Sequence, residues 1–351
     1  MKNLKTMILV LFFSIIIAGC SSANDVSSHQ GEDQLEIYTS IYPIQYAVER
    51  IGGDTVSAKT VYPPGVDAHT YEPTTKDMTT IADSTAFIYM GAGMEGFAES
   101  AAAALASQDV TLIEIGVHDE LYHTGTRTED GHDEHSTHSE DEDGHTEDEH
   151  AHDNHSDHSD EEHDESEEAD SHDGHNHGDQ DPHIWIDPLR MIAMAEIIKN
   201  ELVIVNPEEE ALYNENFAAL EAELHELDEN YQDVLGTKKD KHILVSHAAF
   251  GYWEDRYGIE QIAINGLSSS NEPSQRELTE IIDQAREYDL DYIIFEQNSS
   301  NRVSEVIQGE IGVDSLTIHN LSVLTEEDIN NDEDYISLMN YNLEILDIAT
   351  K

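Results

Sequence analysis

Residues 129–180 restrict the fold more than any other feature of this 351-residue sequence. These 52 residues contain 12 His and 23 Asp or Glu, no Lys or Arg and almost no apolar side chains. So little apolar surface cannot offset the entropy that is lost when a backbone becomes ordered. We therefore predict that the segment is disordered and that the folded structure is built from the sequence on either side of it.

The same segment has a composition suited to metal capture. Its imidazoles and carboxylates are interspersed at mixed spacings, as in His150-Ala151-His152 and His175-Asn176-His177. This mixture of ligands suits borderline divalent ions, zinc above all. We expect auxiliary metal capture here and assign no individual ligands, because many equivalent sets exist. A solvated acidic linker with inert histidines is the alternative interpretation.

The charge and the cysteine content exclude several classes of protein. The chain has 76 acidic and 16 basic residues and a formal net charge of −60, of which the segment 129–180 contributes −23. Nucleic-acid binding requires clustered Lys and Arg, so we expect no nucleic-acid partner. The single cysteine excludes an internal disulfide, a cysteine-based zinc finger and a cysteine-ligated iron–sulfur cluster.

The N-terminus has the pattern of a secretory signal. Lys2 and Lys5 precede a nearly unbroken apolar run from Met7 to Ala18, which is shorter than the roughly 20 residues of a membrane-spanning helix. The run ends just before Cys20, in a sequence that resembles a bacterial lipobox. The resemblance implies that residues 1–19 are removed and that a lipid on Cys20 anchors a Gram-positive-type lipoprotein outside the cell membrane. An ordinary signal peptide with an incidental cysteine is the alternative.

Strand and helix signals alternate on both sides of the acidic segment. Such a rhythm predicts an α/β fold with mostly parallel sheets covered by helices. Before the segment we predict strands at 35–41, 55–62, 86–90 and 110–115, with helices at 42–51, 75–82 and 97–106. After it we predict strands at 242–245, 259–264 and 291–295, with helices at 188–205, 207–235, 249–257 and 273–288 and a largely helical tail at 327–348.

These elements predict two lobes joined by a long, rigid helix. Residues 20–34 are small and polar and suit a flexible tether. We expect an N-terminal α/β lobe at 35–206, which contains the insertion 129–180, and a C-terminal α/β lobe at 236–351. The helix 207–235 between them would reach about 40 Å at 1.5 Å per residue. Ligands of such sheets bind at the carboxyl ends of the strands, so we expect the site in a cleft between the lobes.

Four side chains are placed at strand ends or in loops between the lobes, two from each lobe. His69 follows the second strand, His183 precedes a helix, His247 follows the strand that opens the second lobe, and Glu296 ends the strand Tyr292–Phe295. Each alone is more often a surface histidine or a solvated acid. Together, three imidazoles and a carboxylate form a set that binds zinc tetrahedrally.

The motifs around these residues resemble those of a known family. DPHIWIDP at 181–188 is the most specific, followed by SHAAFGYWEDRYG at 246–258 and AHTYEP at 68–73; IHNLSVLTEEDI at 318–329 is also similar. From about Leu35 to the C-terminus, the chain resembles the zinc-specific solute-binding proteins of bacterial ABC importers, the ZnuA-like group.

The resemblance has direct implications for the site and for the partners. It implies that His69, His183 and His247 bind the metal and that Glu296 completes the site, although some relatives have water or another acid in that place. It also implies capture of Zn²⁺ outside the cytoplasm and delivery to a membrane permease with its ATPase. We expect a monomer.

Three alternatives stay open. A related manganese importer is one, although three imidazoles suit zinc better than manganese, which prefers oxygen ligands. A secreted zinc hydrolase is another, but catalysis needs an open coordination position. No His-Glu-x-x-His occurs, because Glu229 stands where the second histidine would follow His225-Glu226. An additional role as an adhesin is the third. We predict a binding protein and not an enzyme.

Overall fold

The computed structural model describes residues 34–123, 180–298 and 302–351. The predicted signal peptide, the lipidation site Cys20, nearly all of the tether and residues 129–179 lie outside the described residues. The predictions made for them stay predictions.

The first half of the chain contains a parallel four-stranded sheet. Its strand order is β2-β1-β3-β4, and α-helices connect successive strands up to β4, as parallel pairing requires. The strands are β1 Leu35–Thr39, β2 Val56–Thr60, β3 Ala86–Tyr89 and β4 Thr111–Glu114, and the helices are α1 Tyr42–Gly52, α2 Thr75–Ala82 and α3 Ala98–Leu105.

The second half repeats this architecture. Its sheet is also parallel, with the order β6-β5-β7-β8. The strands are β5 His242–His247, β6 Glu260–Asn265, β7 Tyr292–Glu296 and β8 Asp314–Ile318, and the helices are α6 Gly251–Tyr257, α7 Gln275–Glu287, α8 Arg302–Ile311, α9 Glu326–Asn330 and α10 Tyr335–Ala349. The predicted α/β fold with two parallel sheets is therefore confirmed.

Two helices lie between the sheets in sequence, α4 Pro188–Val205 and α5 Glu210–Leu235. The predicted long helix was expected to begin at 207, but Pro207–Glu209 forms a short 3₁₀ turn first. α5 packs against α1, α4 and α10 and is about 39 Å long. Its buried side is formed by Tyr213, Leu220, Leu224, Leu227, Asp228, Tyr231 and Leu235.

Hydrophobic packing joins the two halves. One large core extends through both sheets and includes Trp185, Trp253 and residues of α4, α5 and α10. A smaller core lies against the second sheet beneath α7 and α8. In the described part of the chain, no helix combines the length and apolarity needed to cross a membrane. The lobe boundaries predicted from the sequence stay predictions.

Candidate metal centre

His247 and Glu296 are the last residues of two neighbouring strands in the second sheet. β5 and β7 pair in parallel at its centre, with Val245 opposite Ile294, so both strands end at the same edge. The strand order also changes direction between these two strands. Ligands of open α/β sheets bind at such a point, beyond the carboxyl ends of the strands.

His183 reaches the same space from the segment before α4. The Asp181 carboxylate accepts a hydrogen bond from the His183 backbone N–H at 3.0 Å and lies 2.7 Å from the ring Nδ1 atom. Trp185 donates its indole N–H to the Asn320 carbonyl oxygen, and Asp187 caps the first turn of α4. The motif DPHIWIDP therefore combines a histidine in the cleft with the contacts that hold it there.

His69 comes from the loop that follows β2. The Asp67 carboxylate accepts a hydrogen bond from the His69 backbone N–H at 2.9 Å. The His69 Nδ1 atom lies 3.1 Å from the Met94 carbonyl oxygen, which belongs to the loop after β3. Two loops at the carboxyl end of the first sheet thus hold the third imidazole.

Each of the three rings forms its hydrogen bond within the protein through the same nitrogen, Nδ1. The Nδ1 atoms face the Met94 carbonyl and the carboxylates of Asp181 and Glu296, which in the ionised form only accept hydrogen bonds. Each ring must therefore donate from Nδ1, so a neutral ring carries its lone pair on Nε2. The His247 Nε2 atom is buried and has no hydrogen-bond partner within the described ranges.

The spacing of the rings suits one small cation. Their centroids are 5.1, 5.3 and 5.6 Å apart, and one ligand nitrogen from each ring lies within 4.8 Å of the other two. The Nε2 atoms of His69 and His183 are 3.3 Å apart. Tetrahedral zinc with Zn–N bonds of about 2.0–2.1 Å separates two ligand nitrogens by about 3.3–3.4 Å. The structure thus brings the three predicted histidines together at a spacing suited to zinc.

Glu296 lies beside this cluster, on the far side of the His247 ring. Its Oε1 atom accepts hydrogen bonds from His247 Nδ1 and from the Ser246 hydroxyl, and its Oε2 atom accepts one from the Asn320 amide. The group of converging ligand atoms consists of the three histidines alone among the described residues. In this arrangement the carboxylate orients a metal-facing imidazole. Its place as the fourth ligand stays a prediction.

The histidines differ in their affinity for protons. Burial, together with the nearby rings of His183 and His247, lowers the pKa of His69 to about 4. Burial also disfavours a charged His247, but the Glu296 carboxylate outweighs this effect and raises the pKa of His247. The same contact overcomes burial at Glu296 and holds the pKa of its carboxyl below the usual value. His69 is therefore neutral, and ready to bind a metal, at pH 7.

Polar contacts bridge the two halves beside the cluster. The Ser269 hydroxyl donates to the Asp67 carboxylate, and the Asn298 amide donates to the Val66 carbonyl oxygen at 2.9 Å. These residues connect the loop that carries His69 to loops at the carboxyl end of the second sheet. The imidazole cluster is thus enclosed by contacts from both halves.

Several supporting residues were not assigned from the sequence. Asp181 holds His183, and Asn320 holds Glu296. Of these two supporting residues, only Asp181 has a signal in the sequence. An aspartate precedes the histidine by two residues in Asp181-Pro182-His183, and Asp side chains commonly accept hydrogen bonds from the backbone two residues on. Met94 contributes only its carbonyl oxygen, for which side-chain identity gives no signal.

Comparisons with known proteins identify the family of the chain. A family model described as zinc-uptake complex component A, periplasmic (ZnuA), matches residues 37–349. The zinc-binding lipoprotein AdcA of Streptococcus pneumoniae is 30% identical over 350 residues, which are 100% of this chain and 61% of that protein. This chain thus spans about three fifths of the length of that relative.

A second relative, and the solved ZnuA-like domain of the first, match over nearly their whole length. The high-affinity zinc uptake system protein ZnuA of Bacillus subtilis is 27% identical over 346 residues, 98% of this chain and 97% of that protein. The crystal structure of the Zn(II)-bound ZnuA-like domain of Streptococcus pneumoniae AdcA has a TM-score of 0.64 at 28% identity and covers 90% of this chain and 99% of that one. The family model includes all four candidate site residues and both sheets apart from the first two residues of β1, and the chain therefore belongs to the ZnuA family of zinc-uptake complex components.

Proposed function

We propose that this protein is the extracytoplasmic zinc-binding component of an ABC importer. It captures Zn²⁺ in the cleft between its two halves and delivers the ion to a membrane permease that works with an ATPase. One observation carries the proposal: three buried or half-buried imidazoles present Nε2 lone pairs to one point, while each Nδ1 is held by an acceptor. Membership of the ZnuA family supports the same function.

The proposed mechanism assigns each histidine the same task. His69, His183 and His247 bind zinc through Nε2, and Glu296 is the predicted fourth ligand. The acceptors on the Nδ1 atoms fix both the tautomer and the orientation of the rings, so the three rings need little rearrangement when the ion binds. Glu296 would have to turn from His247 toward the ion to become the fourth ligand. Because the ligands must be deprotonated, binding of zinc competes with protons.

The donor set favours zinc over manganese. Imidazole nitrogen suits zinc, whereas manganese prefers carboxylate, carbonyl and water oxygen. The relatives named above are described as zinc-binding or zinc-uptake proteins. The segment 129–180 would collect dilute zinc and pass it to the cleft. A lipid on Cys20 would keep the protein beside its permease at the outer face of the membrane.

A transport role also fits the coordination chemistry better than hydrolysis. The family is one of zinc-binding transport components and not of known enzymes. Three histidines and a carboxylate would fill the tetrahedral shell, whereas a catalytic zinc keeps one position for water or substrate. We therefore propose that the protein binds and releases zinc without catalysis.

The test is metal analysis and calorimetry on the zinc-free protein and on two histidine variants. We expect one tight zinc per chain and a preference for Zn²⁺ over Mn²⁺ in competition. His247→Ala should weaken this site by roughly 3–5 kcal/mol, on the order of a hundred- to several-thousandfold. His242→Ala is the control, since His242 begins the strand that His247 ends.

Three results would contradict the proposal. They are a wild-type protein without a tight zinc site, an unchanged affinity in His247→Ala, and a preference for Mn²⁺. Peptidase and esterase assays on the same samples test the rival class, and turnover that disappears with the metal would identify a hydrolase.

A further inference from the structure

The loop between β3 and α3 adopts an unusual backbone conformation next to the metal centre. Three consecutive residues have positive φ angles: Gly91 at 70°, Ala92 at 50° and Gly93 at 79°. This region suits glycine, but it is unfavourable for alanine by roughly 1–2 kcal/mol. Such a conformation persists only where the surrounding contacts impose it.

The Glu95 carboxylate supplies those contacts. Glu95 is only 4% exposed. Its two oxygens accept hydrogen bonds from the backbone N–H groups of Met90 at 2.9 Å and Gly91 at 2.8 Å, and the Ser40 hydroxyl bonds to it as well. Although burial raises the pKa of Glu95, it is the ionised carboxylate that offers both oxygens fully as acceptors. The Glu95 side chain therefore holds the two ends of the loop 90–95 together through hydrogen bonds to its backbone.

The same loop holds His69 from two directions. The Met94 carbonyl oxygen accepts the hydrogen bond from His69 Nδ1. Gly96 passes under the backbone of His69 so closely that a Cβ atom there would lie 3.2 Å from the His69 carbonyl oxygen. A shift of this loop would therefore change the orientation of the imidazole.

His69 differs in this respect from the other two histidines of the cluster. The Nδ1 atoms of His183 and His247 lie directly against the carboxylates of Asp181 and Glu296. The Nδ1 atom of His69 lies against the carbonyl oxygen of Met94. The next residue is Glu95, whose carboxylate accepts hydrogen bonds from the N–H groups at the start of the same loop.

We propose that Glu95 is a positioning residue for zinc binding, which holds the loop 90–96 so that the Met94 carbonyl keeps the Nε2 atom of His69 turned toward the metal. The inference rests on the proposed function, because it assumes that His69 is a zinc ligand. It goes beyond the proposed function because Glu95 is not a ligand and would influence zinc affinity only through His69.

The test is a double-mutant cycle of Glu95→Gln and His69→Ala, measured as zinc affinity. Glutamine has nearly the same shape but only one acceptor oxygen, so one of the two N–H groups loses its partner. In the wild-type background we expect zinc binding to weaken by about 10- to 100-fold, as for other residues that orient a ligand. In the His69→Ala background, Glu95→Gln should change the remaining affinity by less than about twofold, because the residue through which it acts is gone.

Asp228→Asn provides a matched control. Asp228 is also 4% exposed and accepts hydrogen bonds from Arg256 and Tyr257, but it lies on α5. We expect this variant to lose thermal stability while its zinc affinity stays within about twofold of wild type. A general loosening of the fold would instead lower zinc affinity in both variants.

Ser40→Ala tests the same route if Glu95→Gln does not fold. It removes the hydroxyl that bonds to Glu95 and keeps the carboxylate, so we expect a smaller loss of affinity that again depends on His69. Histidine side-chain ¹⁵N spectra of the zinc-free protein give a second readout: His69 should carry its proton on Nδ1 in wild type and should show mixed tautomers in the variant.

The outcomes separate this inference from the proposed function. If His69→Ala weakens zinc binding but Glu95→Gln and Ser40→Ala do not, Glu95 is not a positioning residue and the proposed function stands. An equal loss in Glu95→Gln with and without His69 would also overturn the inference. A wild-type protein without tight zinc binding, or an unchanged affinity in His69→Ala, would overturn both.

Discussion

The Nδ1 atom of His247 lies 2.5 Å from the Oε1 atom of Glu296, although the two residues are 49 positions apart in the chain. Parallel pairing of β5 and β7 produces this contact, because each residue is the last of its strand. The carboxylate holds the proton on Nδ1 and leaves Nε2 of His247 for a metal. A residue predicted as the fourth ligand is thus also the partner of another predicted ligand.

The first prediction concerns this pair. Glu296→Gln should weaken zinc binding by about 10- to 100-fold, because an amide accepts from Nδ1 without the negative charge that strengthens the ligand. Glu305→Gln, at an exposed acid on α8, should have no effect. Calorimetry measures the affinities, and X-ray absorption tests whether the variant loses an oxygen ligand. An unchanged affinity would exclude Glu296 from both roles.

The second prediction concerns the His-rich segment. A protein that lacks residues 129–180 should keep one tight zinc site, because the three clustered histidines and the acceptors of their Nδ1 atoms lie outside it. The full-length chain should bind further zinc ions more weakly, and the deletion should abolish these. Metal analysis after dialysis against a weak chelator measures both classes. Loss of the tight site on deletion would show that the segment itself is the main binding site.

Local sequence patterns predicted most of the fold. The helices at 75–82 and 188–205 begin where caps and prolines indicate, after Thr74 with its capping box and after Asp187 at Pro188. The strand Asp314–Ile318 was not predicted. It is an edge strand in which only Ile318 is buried, so it lacks the apolar pattern that identifies strands. The preceding helix α8 was also not predicted.

The convergence of three histidines could be expected from the sequence, but the contacts that support them could not. Distinctive motifs at strand ends or in loops between the lobes singled out His69, His183 and His247, and the fold brings these three side chains together. The contacts of Glu296 with Asn320 and of His69 with Met94 depend on which strands and loops become neighbours in the folded chain. Spacing along the sequence contains little of that information.

The third prediction concerns stability in acid. Burial favours the protonated form of Asp328, but hydrogen bonds from His319 and Thr325 outweigh it and lower the pKa of Asp328 to about 2. A lowered carboxyl pKa stabilises the folded state above the unfolded value of about 4, and this contribution is lost as the pH falls toward 2.

Asp328→Asn should therefore be less stable than wild type at pH 7, and the difference should shrink between about pH 4 and pH 2. Urea unfolding of the zinc-free proteins at several pH values measures this. Glu327→Gln, at the adjacent exposed position of α9, is the control and should show no such trend. A difference that stays constant with pH would show that the Asp328 charge does not contribute to stability.

The last prediction uses a local structure that occurs twice in the chain. In both Asp181-Pro182-His183 and Asp240-Lys241-His242, the aspartate accepts from the histidine backbone N–H and lies 2.7 Å from the ring Nδ1 atom. Their surroundings differ, because the ring at 183 faces the cluster, whereas the ring at 242 stacks on Tyr288. Asp181→Asn should weaken zinc binding about 10- to 100-fold, since the amide orients the ligand ring less strongly. Asp240→Asn removes the same charge from the same local structure and should leave affinity unchanged in calorimetry. Equal losses in the two variants would mean that the overall charge of the protein, rather than support of His183, sets the affinity.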